Sequence, residues 1–327
     1  GGFGVSGQDG SKVIANTPVQ NIVMARLGDL LGFPKGSIVN FVVKYLKKKV
    51  PAWSLPQSVG FNSAIARGHA ADYAPVQVTR EDIAFLQYTG GTTGVPKGAM
   101  LSYGNAAFKT GASARSNDAK PTDMLLAVAP LYHIAGMIMG VNLPVYAGAT
   151  AVLLYRFDPV AVARALEFYR INWWYSIAPM NVAVMQVPGA RDMDWSALKR
   201  NPVTSFGITF TEPLAQQWRE FAPNCVSHEA AYGLSETHTV DTSMPVDAIR
   251  WGTHGKPVPG NLIRVVDPAT GHDMPVGEAG EIIVSGPGNF KGYWNKPEAT
   301  AATLRDGWVW TGDQGRMDAD GYLTFIG

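Results

Sequence analysis

The stretch Tyr88–Gly98, YTGGTTGVPKG, holds four glycines and three threonines in eleven residues and follows the apolar run Ile83–Leu86. This composition disfavours both helix and strand. Glycines let several backbone N–H groups turn toward one point, threonine hydroxyls add donors that adapt in direction, and Lys97 adds a compact positive charge. We therefore predict a loop that wraps a polyphosphate, with a mobile Gly/Thr turn as the alternative.

The loop differs from the Walker A motif at two places. Val95 and Pro96 stand where that motif needs its second glycine, and Gly98 follows Lys97 where it needs Ser or Thr. The sequence therefore predicts phosphate binding of another type.

Composition sets the broad class of the chain. Its 327 residues are 46% apolar and 16% charged, which indicates a globular protein with more than one core rather than a disordered chain. The formal net charge of +1 gives no global case for nucleic-acid binding. A lone cysteine, Cys225, excludes an internal disulfide framework and favours a reducing, cytoplasmic location.

The opening Gly1–Gly7 resembles a loop entered in mid-protein, with neither a start methionine nor a signal peptide, so we expect a fragment. A second stretch, Met124–Tyr155, lacks Asp, Glu, Lys and Arg and is long enough to raise the question of a membrane span. Because prolines and glycines interrupt it, we favour a buried strand–helix–strand segment.

Alternating strands and helices predict an α/β fold of stacked αβ subdomains with mostly parallel sheets. The expected elements are a buried strand at Asn21–Met24, a basic amphipathic helix at Val42–Val50 ended by Pro51, a strand at Leu125–Val128, and a helix at Asp158–Arg170 capped by Asp158.

Short strands follow after about residue 250. Ile263–Val266 and Glu281–Val284 predict a hairpin, and Tyr322–Ile326 predicts another strand, so we expect a small β-barrel. The predicted parts are residues 1–115 with the phosphate loop, 116–248 as a second αβ subdomain, and 249–327 as the barrel.

Four further segments carry polar or aromatic groups in a fixed order behind the loop: Pro130–His133, Ala231–Thr237, Gly292–Thr300, and Asp306–Trp308 with Thr311–Asp313. Together with the loop they resemble the adenylate-forming superfamily of acyl-CoA synthetases, luciferases and adenylation domains, over nearly the whole chain. Three other segments narrow the resemblance to bacterial long-chain fatty-acid–CoA ligases: Gln20–Val23, Asn40–Tyr45 and Phe85–Tyr88.

The resemblance implies how the nucleotide is held. The ATP phosphates would lie in the loop formed by Thr89, Gly90, Gly91, Thr92, Thr93, Gly94 and Lys97. Adenine would stack on Tyr232 beside Gly233, with Gly207 in the adjoining adenine and acyl loop. Ser235 would bond the α-phosphate, Glu236 would hold Mg²⁺, and Asp313 would accept the ribose hydroxyls.

His133 would stand at the mouth of the acyl pocket, with a core histidine as the alternative. Each of the other side chains also has an ordinary structural explanation, as a helix-start carboxylate (Glu236), an interface aromatic (Tyr232) or a turn residue (Asp313). We expect His228, His238 and His254 to be structural or surface groups.

Some positions depart from the superfamily pattern. Ser235 replaces the usual threonine, and Phe210 replaces a small residue in the loop Ser205–Leu214, where it would narrow the acyl pocket. Trp173 and Trp174 suit either core or pocket wall. Relatives continue beyond Gly327 into a hinge and a small domain that carries the adenylation lysine, so the isolated chain would be impaired.

The resemblance therefore implies an ATP- and Mg²⁺-dependent ligase that activates a fatty acid as an acyl-adenylate before transfer to coenzyme A. The alternatives are a ligase for a medium-chain, branched or hydroxy acid, a carrier-loading adenylation domain, and a non-catalytic nucleotide-binding homologue. Lys47, Lys48 and Lys49 suggest contact with an anionic membrane surface, with a solvated helix face as the alternative. The sequence also allows a homodimer.

Overall fold

The computed structural model describes Lys12 and residues 14–89 and 95–327. The chain divides into two compact units, Gly1–Gln77 and Val78–Gly327. The three-part division at residues 115 and 248 stays a prediction.

The first unit pairs strand β1 (Ile22–Met24) in parallel with β2 (Ser58–Gly60). Its helices are α1 (Lys35–Phe41), which continues as a π-helical segment (Val42–Leu46), and α2 (Phe61–His69), with a 3₁₀ turn at Ile14–Asn16. The expected burial of β1 is wrong, because Val23 is half exposed.

The basic helix of this unit also differs from the prediction. It begins at Lys35 rather than Val42 and ends at Leu46, before Pro51. Lys48 adopts a left-handed conformation with φ of 47°, which no helix can continue through. The helix therefore ends before the lysine run, and Lys47–Lys49 lie exposed beyond it.

The second unit begins with an antiparallel hairpin of β3 (Ile83–Thr89) and β4 (Lys97–Ser102), in which Thr89 lies opposite Lys97. Helix α3 (Tyr103–Ser116) follows directly. Ser102 accepts a hydrogen bond from the backbone N–H of Asn105, and the Asn105 side chain accepts one from the Ser102 N–H, which fixes the start of the helix on the end of β4.

The largest sheet described in the unit has six strands. All its pairings are parallel, which confirms the predicted parallel α/β layer. The strands are β5 (Met124–Ala127), β6 (Thr150–Leu153), β7 (Trp173–Trp174), β8 (Ser176–Ile177), β9 (Arg200–Thr204) and β10 (Val226–Glu229). Their order in the sheet is β10-β9-β7-β5-β6, with β8 also paired to β9.

Helices connect these strands. They are α4 (Ile134–Met137), a π-helical segment (Ile138–Asn142), α5 (Leu143–Ala147), α6 (Pro159–Phe168), α7 (Ala178–Met185) and α8 (Glu212–Phe221), with a 3₁₀ turn at Ala190–Asp192. The predicted cap of α6 is confirmed, because Asp158 accepts a 2.9 Å hydrogen bond from the Ala161 N–H. In the part of the chain that the structure describes, no helix is long and apolar enough to cross a membrane.

The last part of the unit is a curled antiparallel sheet, a half-barrel of order β13-β14-β16-β15 with β17 against β16. The predicted hairpin and the last predicted strand are confirmed. The strands are β13 (Leu262–Val266), β14 (Gly280–Ser285), β15 (Leu304–Arg305), β16 (Trp308–Met317) and β17 (Leu323–Phe325); helix α9 (Pro297–Thr303), a two-stranded ribbon of β11 (Thr242–Ser243) and β12 (Lys256–Pro257), and a 3₁₀ turn at Ser235–Thr237 complete the unit.

The main core lies between the parallel sheet and its helices. Trp174 and Trp218 are fully buried there with their ring centroids 5.8 Å apart, and Trp173 is buried on the other side of the sheet. Both Trp173 and Trp174 are therefore core residues. The charge-free stretch Met124–Tyr155 forms β5, the helices from α4 to α5, and β6, as predicted.

Candidate active site

Lys97 and Tyr293 meet at the start of β4. The segment after Phe290 runs beside this strand, with hydrogen bonds from the Met100 N–H to the Gly292 carbonyl (2.9 Å) and from the Trp294 N–H to the Gly98 carbonyl (2.8 Å). This pairing places the Lys97 ammonium 5.0 Å from the centre of the Tyr293 ring. A cation over a tyrosine face is attracted by the ring quadrupole, so Lys97 has a defined position.

Glu236 lies at the other end of the same tyrosine. It sits in the 3₁₀ turn Ser235–Thr237, is buried, and accepts a 2.7 Å hydrogen bond from the Tyr293 hydroxyl. Burial and the neighbouring Glu236 carboxylate raise the pKa of Tyr293 well above its usual range, so the hydroxyl stays a donor. The structure thus brings Lys97 and Glu236, both predicted site residues, to one aromatic ring.

The donor set around Glu236 fits a magnesium ion shared with a substrate. The described residues hold no group of three or more His, Cys, Asp or Glu side chains suited to a metal. Mg²⁺ in phosphoryl-transfer enzymes is held by one or two carboxylates, waters and the substrate phosphates, which one buried carboxylate satisfies. Tyr293 engages the Oε1 atom of Glu236 only, and Oε2 has no hydrogen-bond partner among the described residues.

Gly233 and Ser235 are held by a left-handed turn that follows Glu236. His238, Thr239 and Val240 have φ values of 61°, 56° and 50°. A Cβ on Gly233 would lie 2.5 Å from the Val240 nitrogen, so only glycine allows this close approach. Ser235 is half-buried at the first position of the 3₁₀ turn.

Tyr232 and Asp313 are in direct contact. The Tyr232 hydroxyl donates a 2.7 Å hydrogen bond to Asp313 Oδ2, and its ring stacks on Phe325 at 5.8 Å. Burial raises the pKa of Asp313, and the Tyr232 hydrogen bond offsets part of that effect. The remaining carboxylate oxygen, Oδ1, has no protein hydrogen-bond partner among the described residues. The two residues predicted for adenine and ribose therefore adjoin one another.

Gly207 lies in a loop that begins where β9 ends. It has φ of 72°, a conformation that favours glycine. Ser205 anchors the loop, because both its N–H (3.0 Å) and its hydroxyl donate to the Glu229 carboxylate at the end of β10, and its oxygen accepts from the Phe210 N–H. Burial raises the pKa of Glu229 to about 7, against the lowering effect of the Ser205 hydrogen bonds.

Phe210 does not occupy the place that the sequence suggested. Its ring is 2% exposed and packs with Ala178, Val203, Ala215 and Trp251, the last at 6.1 Å between ring centroids. The ring fills the core behind the loop. The expectation that Phe210 narrows the acyl pocket is therefore wrong, since the chain bends at Gly207 and turns this side chain inward.

His133 caps α4 at the end of the segment that follows β5. Its Nδ1 accepts a 3.3 Å hydrogen bond from the Ala135 N–H. The preceding Tyr132 carbonyl accepts a 3.0 Å hydrogen bond from the Gln87 side chain, which ties this segment to β3 of the phosphate-loop hairpin. His133 is exposed, so it is a helix cap at the surface rather than a core histidine.

An open cavity of about 330 Å³ lies beyond the carboxyl end of β6, which is the neighbour of β5 in the parallel sheet. Ligands of α/β proteins bind at this edge of the sheet. Arg156 and Arg164 bring two positive charges to the cavity. Its lining is Leu154, Tyr155, Arg156, Asp158, Val160, Ala161 and Arg164.

The other predicted residues belong to the phosphate loop or are histidines. Gly90, Gly91, Thr92, Thr93 and Gly94 lie outside the described residues, whereas Thr89 and Lys97 flank them as paired strand residues. His228 and His238 are buried, and burial with Lys109 nearby lowers the pKa of His238 to about 3. His254 Nδ1 accepts from the Phe325 N–H at 3.2 Å, which is a structural role.

The profile of the family described as "AMP-binding enzyme" matches residues 17–294, most of the chain. The chain belongs to this family. A curated relative, the long-chain-fatty-acid–CoA ligase of Haemophilus influenzae, is 37% identical over an alignment of 322 residues that covers 96% of this chain and 56% of that protein. The chain thus spans about half the length of the curated relatives it matches.

Solved structures of AMP-binding enzymes have the same fold. ATP-bound MatB from Rhodopseudomonas palustris is 27% identical, with a TM-score of 0.75 over 97% of this chain and 60% of that one. O-succinylbenzoate coenzyme A synthetase from Bacillus subtilis, solved with ATP and a magnesium ion, is 26% identical, with a TM-score of 0.71 over 83% of this chain and 55% of that one.

Four charged or polar side chains in and around the site were not predicted. Tyr293 lies in the turn Gly292–Thr300, which the sequence marked only for its charged edge. Glu229 and the buried pair of Lys109 with Asp241 carried no local signal, because their partners lie 24 and 132 residues away in the chain. A buried lysine on a helix of small residues is the one feature that could have pointed to a partner.

Proposed function

We propose that this AMP-binding chain forms the ATP- and acid-binding part of an acyl-CoA synthetase that activates a fatty acid. The observation that supports this best is the joining of Lys97 and Glu236 through Tyr293. It puts a cation and a carboxylate suited to Mg²⁺ beside the hairpin that carries the glycine- and threonine-rich loop.

In the proposed reaction the fatty carboxylate oxygen attacks the α-phosphorus of ATP. The bond to the β-phosphate oxygen breaks, pyrophosphate leaves, and an acyl-adenylate remains. Lys97 neutralises charge on the departing phosphates, and Ser235 donates a hydrogen bond to the α-phosphate. A bound Mg²⁺ would supply further charge neutralisation, held by Glu236. Catalysis of this kind consists mainly of alignment and electrostatic stabilisation.

Tyr232 and Asp313 would hold the nucleoside. Asp313 Oδ1 would accept ribose hydroxyls while Oδ2 stays bonded to Tyr232. Tyr232 is buried and its ring stacks on Phe325, so adenine would lie against the ring and not between exposed faces. Gly207, in the loop anchored by Glu229, would let adenine approach the backbone closely.

The second half-reaction would consume coenzyme A. Its thiol sulfur attacks the acyl carbonyl, the proton passes to solvent, and AMP leaves as the thioester forms. Arg156 and Arg164 line the cavity and offer positive charges for the phosphates of coenzyme A. The cavity lies at the carboxyl end of β6, and His133 follows the carboxyl end of the neighbouring parallel strand β5. Arg156 would therefore serve thioester formation and not adenylation.

A long-chain acid is the first choice of substrate, because curated relatives at up to 37% identity are named for it. The alternative of a medium-chain, branched or hydroxy acid rested on Phe210 as a residue that narrows the acyl pocket. Because this ring lies in the core, that support for the alternative is lost. The test is pyrophosphate release by the full-length enzyme over a panel of carboxylic acids. No release with any acid, in a protein that still binds ATP, would instead favour the non-catalytic homologue.

Two contacts outside the site belong to the proposal. Lys47, Lys48 and Lys49 are exposed beside the exposed side chains of Tyr45 and Leu46, a combination suited to an anionic membrane surface. Co-sedimentation with anionic vesicles, compared with neutral ones, tests it; equal pelleting or none would reject it. Homodimer formation is tested by sedimentation velocity.

A further inference from the structure

Lys109 and Asp241 form an ion pair that is fully removed from solvent. Both side chains are 0% exposed, and the Lys109 Nζ donates to Asp241 Oδ1 at 2.6 Å and to the Val240 carbonyl at 3.1 Å. A buried pair is tolerated only where hydrogen bonds satisfy the charges, and replacing it by apolar residues often stabilises a protein. Stability alone therefore does not explain why these two charges are here.

Asp241 joins three segments of the unit. Besides Lys109 of α3, it accepts hydrogen bonds from the Thr237 hydroxyl and from the Asn261 side chain (2.8 Å). Thr237 is the residue after Glu236, and Asn261 directly precedes β13 of the half-barrel. Since α3 is capped on the end of β4, the pair links the strand of Lys97 to the turn of Glu236.

The backbone between Thr237 and Asp241 is strained. His238, Thr239 and Val240 are consecutive left-handed residues without a glycine, and two of them are β-branched. Such conformations persist only where the surroundings over-determine them, and they concentrate at functional sites. Lys109 binds the last carbonyl of this turn and the side chain that follows it, so it holds the turn closed.

Lys109 itself has little freedom to move. A Cβ on Gly288 would lie 2.1 Å from the Lys109 Cε and 2.9 Å from the Thr237 carbonyl oxygen, so the backbone at Gly288 packs against both. The lysine stem is therefore fixed between α3 and the turn. Its ammonium bonds Asp241, and Asp241 in turn accepts from the Thr237 hydroxyl, so the position of α3 is linked to Thr237.

We propose that Lys109 and Asp241 are positioning residues, which hold the Ser235–Thr237 turn so that the Glu236 carboxylate stays at the hydroxyl of Tyr293. The inference rests on the proposed function, in that Glu236 is taken as the magnesium ligand. The pair acts on metal-dependent adenylation through Glu236 and does not contact the substrates.

The test uses Lys109→Met, Asp241→Asn and the double variant in the full-length enzyme. Lys109→Met alone leaves a buried unpaired carboxylate and should lower stability strongly. The double variant removes both charges, so stability should recover. The double variant still lacks the hydrogen bonds from the Lys109 Nζ to Val240 and Asp241. Its rate of ATP–pyrophosphate exchange should therefore remain at least about tenfold below wild type, and half-maximal exchange should need a higher Mg²⁺ concentration.

A different outcome is expected if Lys109 and Asp241 contribute only to stability. In that case stability and the Mg²⁺ dependence recover together in the double variant, and this outcome overturns the inference. The matched control is Arg200→Met with Asp123→Asn, which removes a largely buried ion pair of the parallel sheet. It should leave the Mg²⁺ dependence as in wild type once the protein is folded.

Amide hydrogen exchange gives a readout that does not depend on activity. The Thr239 N–H bonds the Leu234 carbonyl at 2.8 Å and the His238 N–H bonds the Ser235 carbonyl at 3.1 Å. Exchange at these amides should accelerate in the double variant, and unchanged exchange overturns the inference. A wild-type enzyme without pyrophosphate exchange would defeat the proposed function only, while the amide result still decides the positioning.

If the double variant does not fold, Thr237→Val tests the same link. It keeps the size of the side chain and removes the hydroxyl that joins the Glu236 turn to Asp241. We expect a higher Mg²⁺ requirement at an unchanged ATP KM. A wild-type Mg²⁺ response in folded Thr237→Val overturns the inference.

Discussion

The Tyr293 hydroxyl donates to Glu236 at 2.7 Å, while Lys97 lies 5.0 Å from the centre of the same ring. One side chain therefore orients a carboxylate and a cation that lie far apart in sequence. A hydrogen-bond partner of a metal ligand fixes the direction of the ligand, and its loss typically costs about 10- to 100-fold in metal affinity or activity.

Tyr293→Phe should keep the ring beneath Lys97 and free the Glu236 carboxylate. We expect the Mg²⁺ concentration for half-maximal pyrophosphate exchange to rise about tenfold or more. The control is Tyr322→Phe, which removes another hydroxyl, one that donates to the Ala248 carbonyl at 2.6 Å and not to Glu236. An unchanged Mg²⁺ response in Tyr293→Phe would remove the orienting role.

Asp313→Ala should weaken ATP and AMP binding about ten- to a hundredfold, because a charged hydrogen bond typically contributes about 1.5–3 kcal/mol. Tyr232→Phe should cost less, since the ring remains. Calorimetry measures both affinities, with the exposed Asp320→Ala as the control. Wild-type affinity in folded Asp313→Ala would exclude the ribose role.

The site residues that could be predicted from the sequence are those that belong to a short, continuous motif. Lys97, Glu236 and Asp313 were recognised because each belongs to a local motif. Strand β5 and the hairpin of β13 and β14 follow from apolar runs and turn residues, whereas the strands that carry Lys97 and Asp313 were not predicted. The partners were not predictable in this way. Tyr293 and Glu236 are 57 residues apart, and no local pattern records that one bonds the other.

Local backbone conformation explains two errors in the fold. The helix after Asn40 ends at Leu46 because Lys48 is left-handed, a conformation that a lysine run does not signal. The ring of Phe210 turns into the core because the loop bends at Gly207 and Ser205 is tied to Glu229. The position of Phe210 thus depends on a tertiary contact, between Ser205 and Glu229, whereas the helix end depends on the local backbone at Lys48.

Arg156→Ala should raise the KM for coenzyme A about tenfold, the effect of losing one charge-assisted contact. Adenylation in the absence of coenzyme A should be unaffected. The two half-reactions are measured separately, by pyrophosphate exchange and by thioester formation. The control is Arg191→Ala, which removes an exposed arginine that lies over the Phe221 ring. Equal KM values for coenzyme A in the two variants would contradict the role of Arg156.

Phe210→Ala should lower the free energy of unfolding by about 3–5 kcal/mol, since it empties a core position. Urea unfolding measures this. The preference among acids of different length should stay as in wild type, because the ring faces Trp251 and Ala215. A shift of the preference toward longer acids would show that the ring reaches the acyl pocket after all.

Glu229 should make stability depend on pH. Burial raises its pKa from 4.5 to about 7, so the folded state holds the proton more tightly than the unfolded chain. This stabilisation is fully present below pH 4.5 and is lost as the pH rises through about 7. The difference corresponds to about 3 kcal/mol of unfolding free energy.

The measurement is urea unfolding of wild type and Glu229→Gln at about pH 5 and about pH 8, spanning most of the window between the two pKa values. Glutamine carries no charge at either pH, so the variant should gain about 2–3 kcal/mol on wild type between them. Glu220→Gln, at an exposed position, should show no such gain. A gain that is absent in Glu229→Gln as well would mean that the Ser205 hydrogen bonds offset the burial of the carboxylate, and that the loop carrying Gly207 is anchored equally at both pH values.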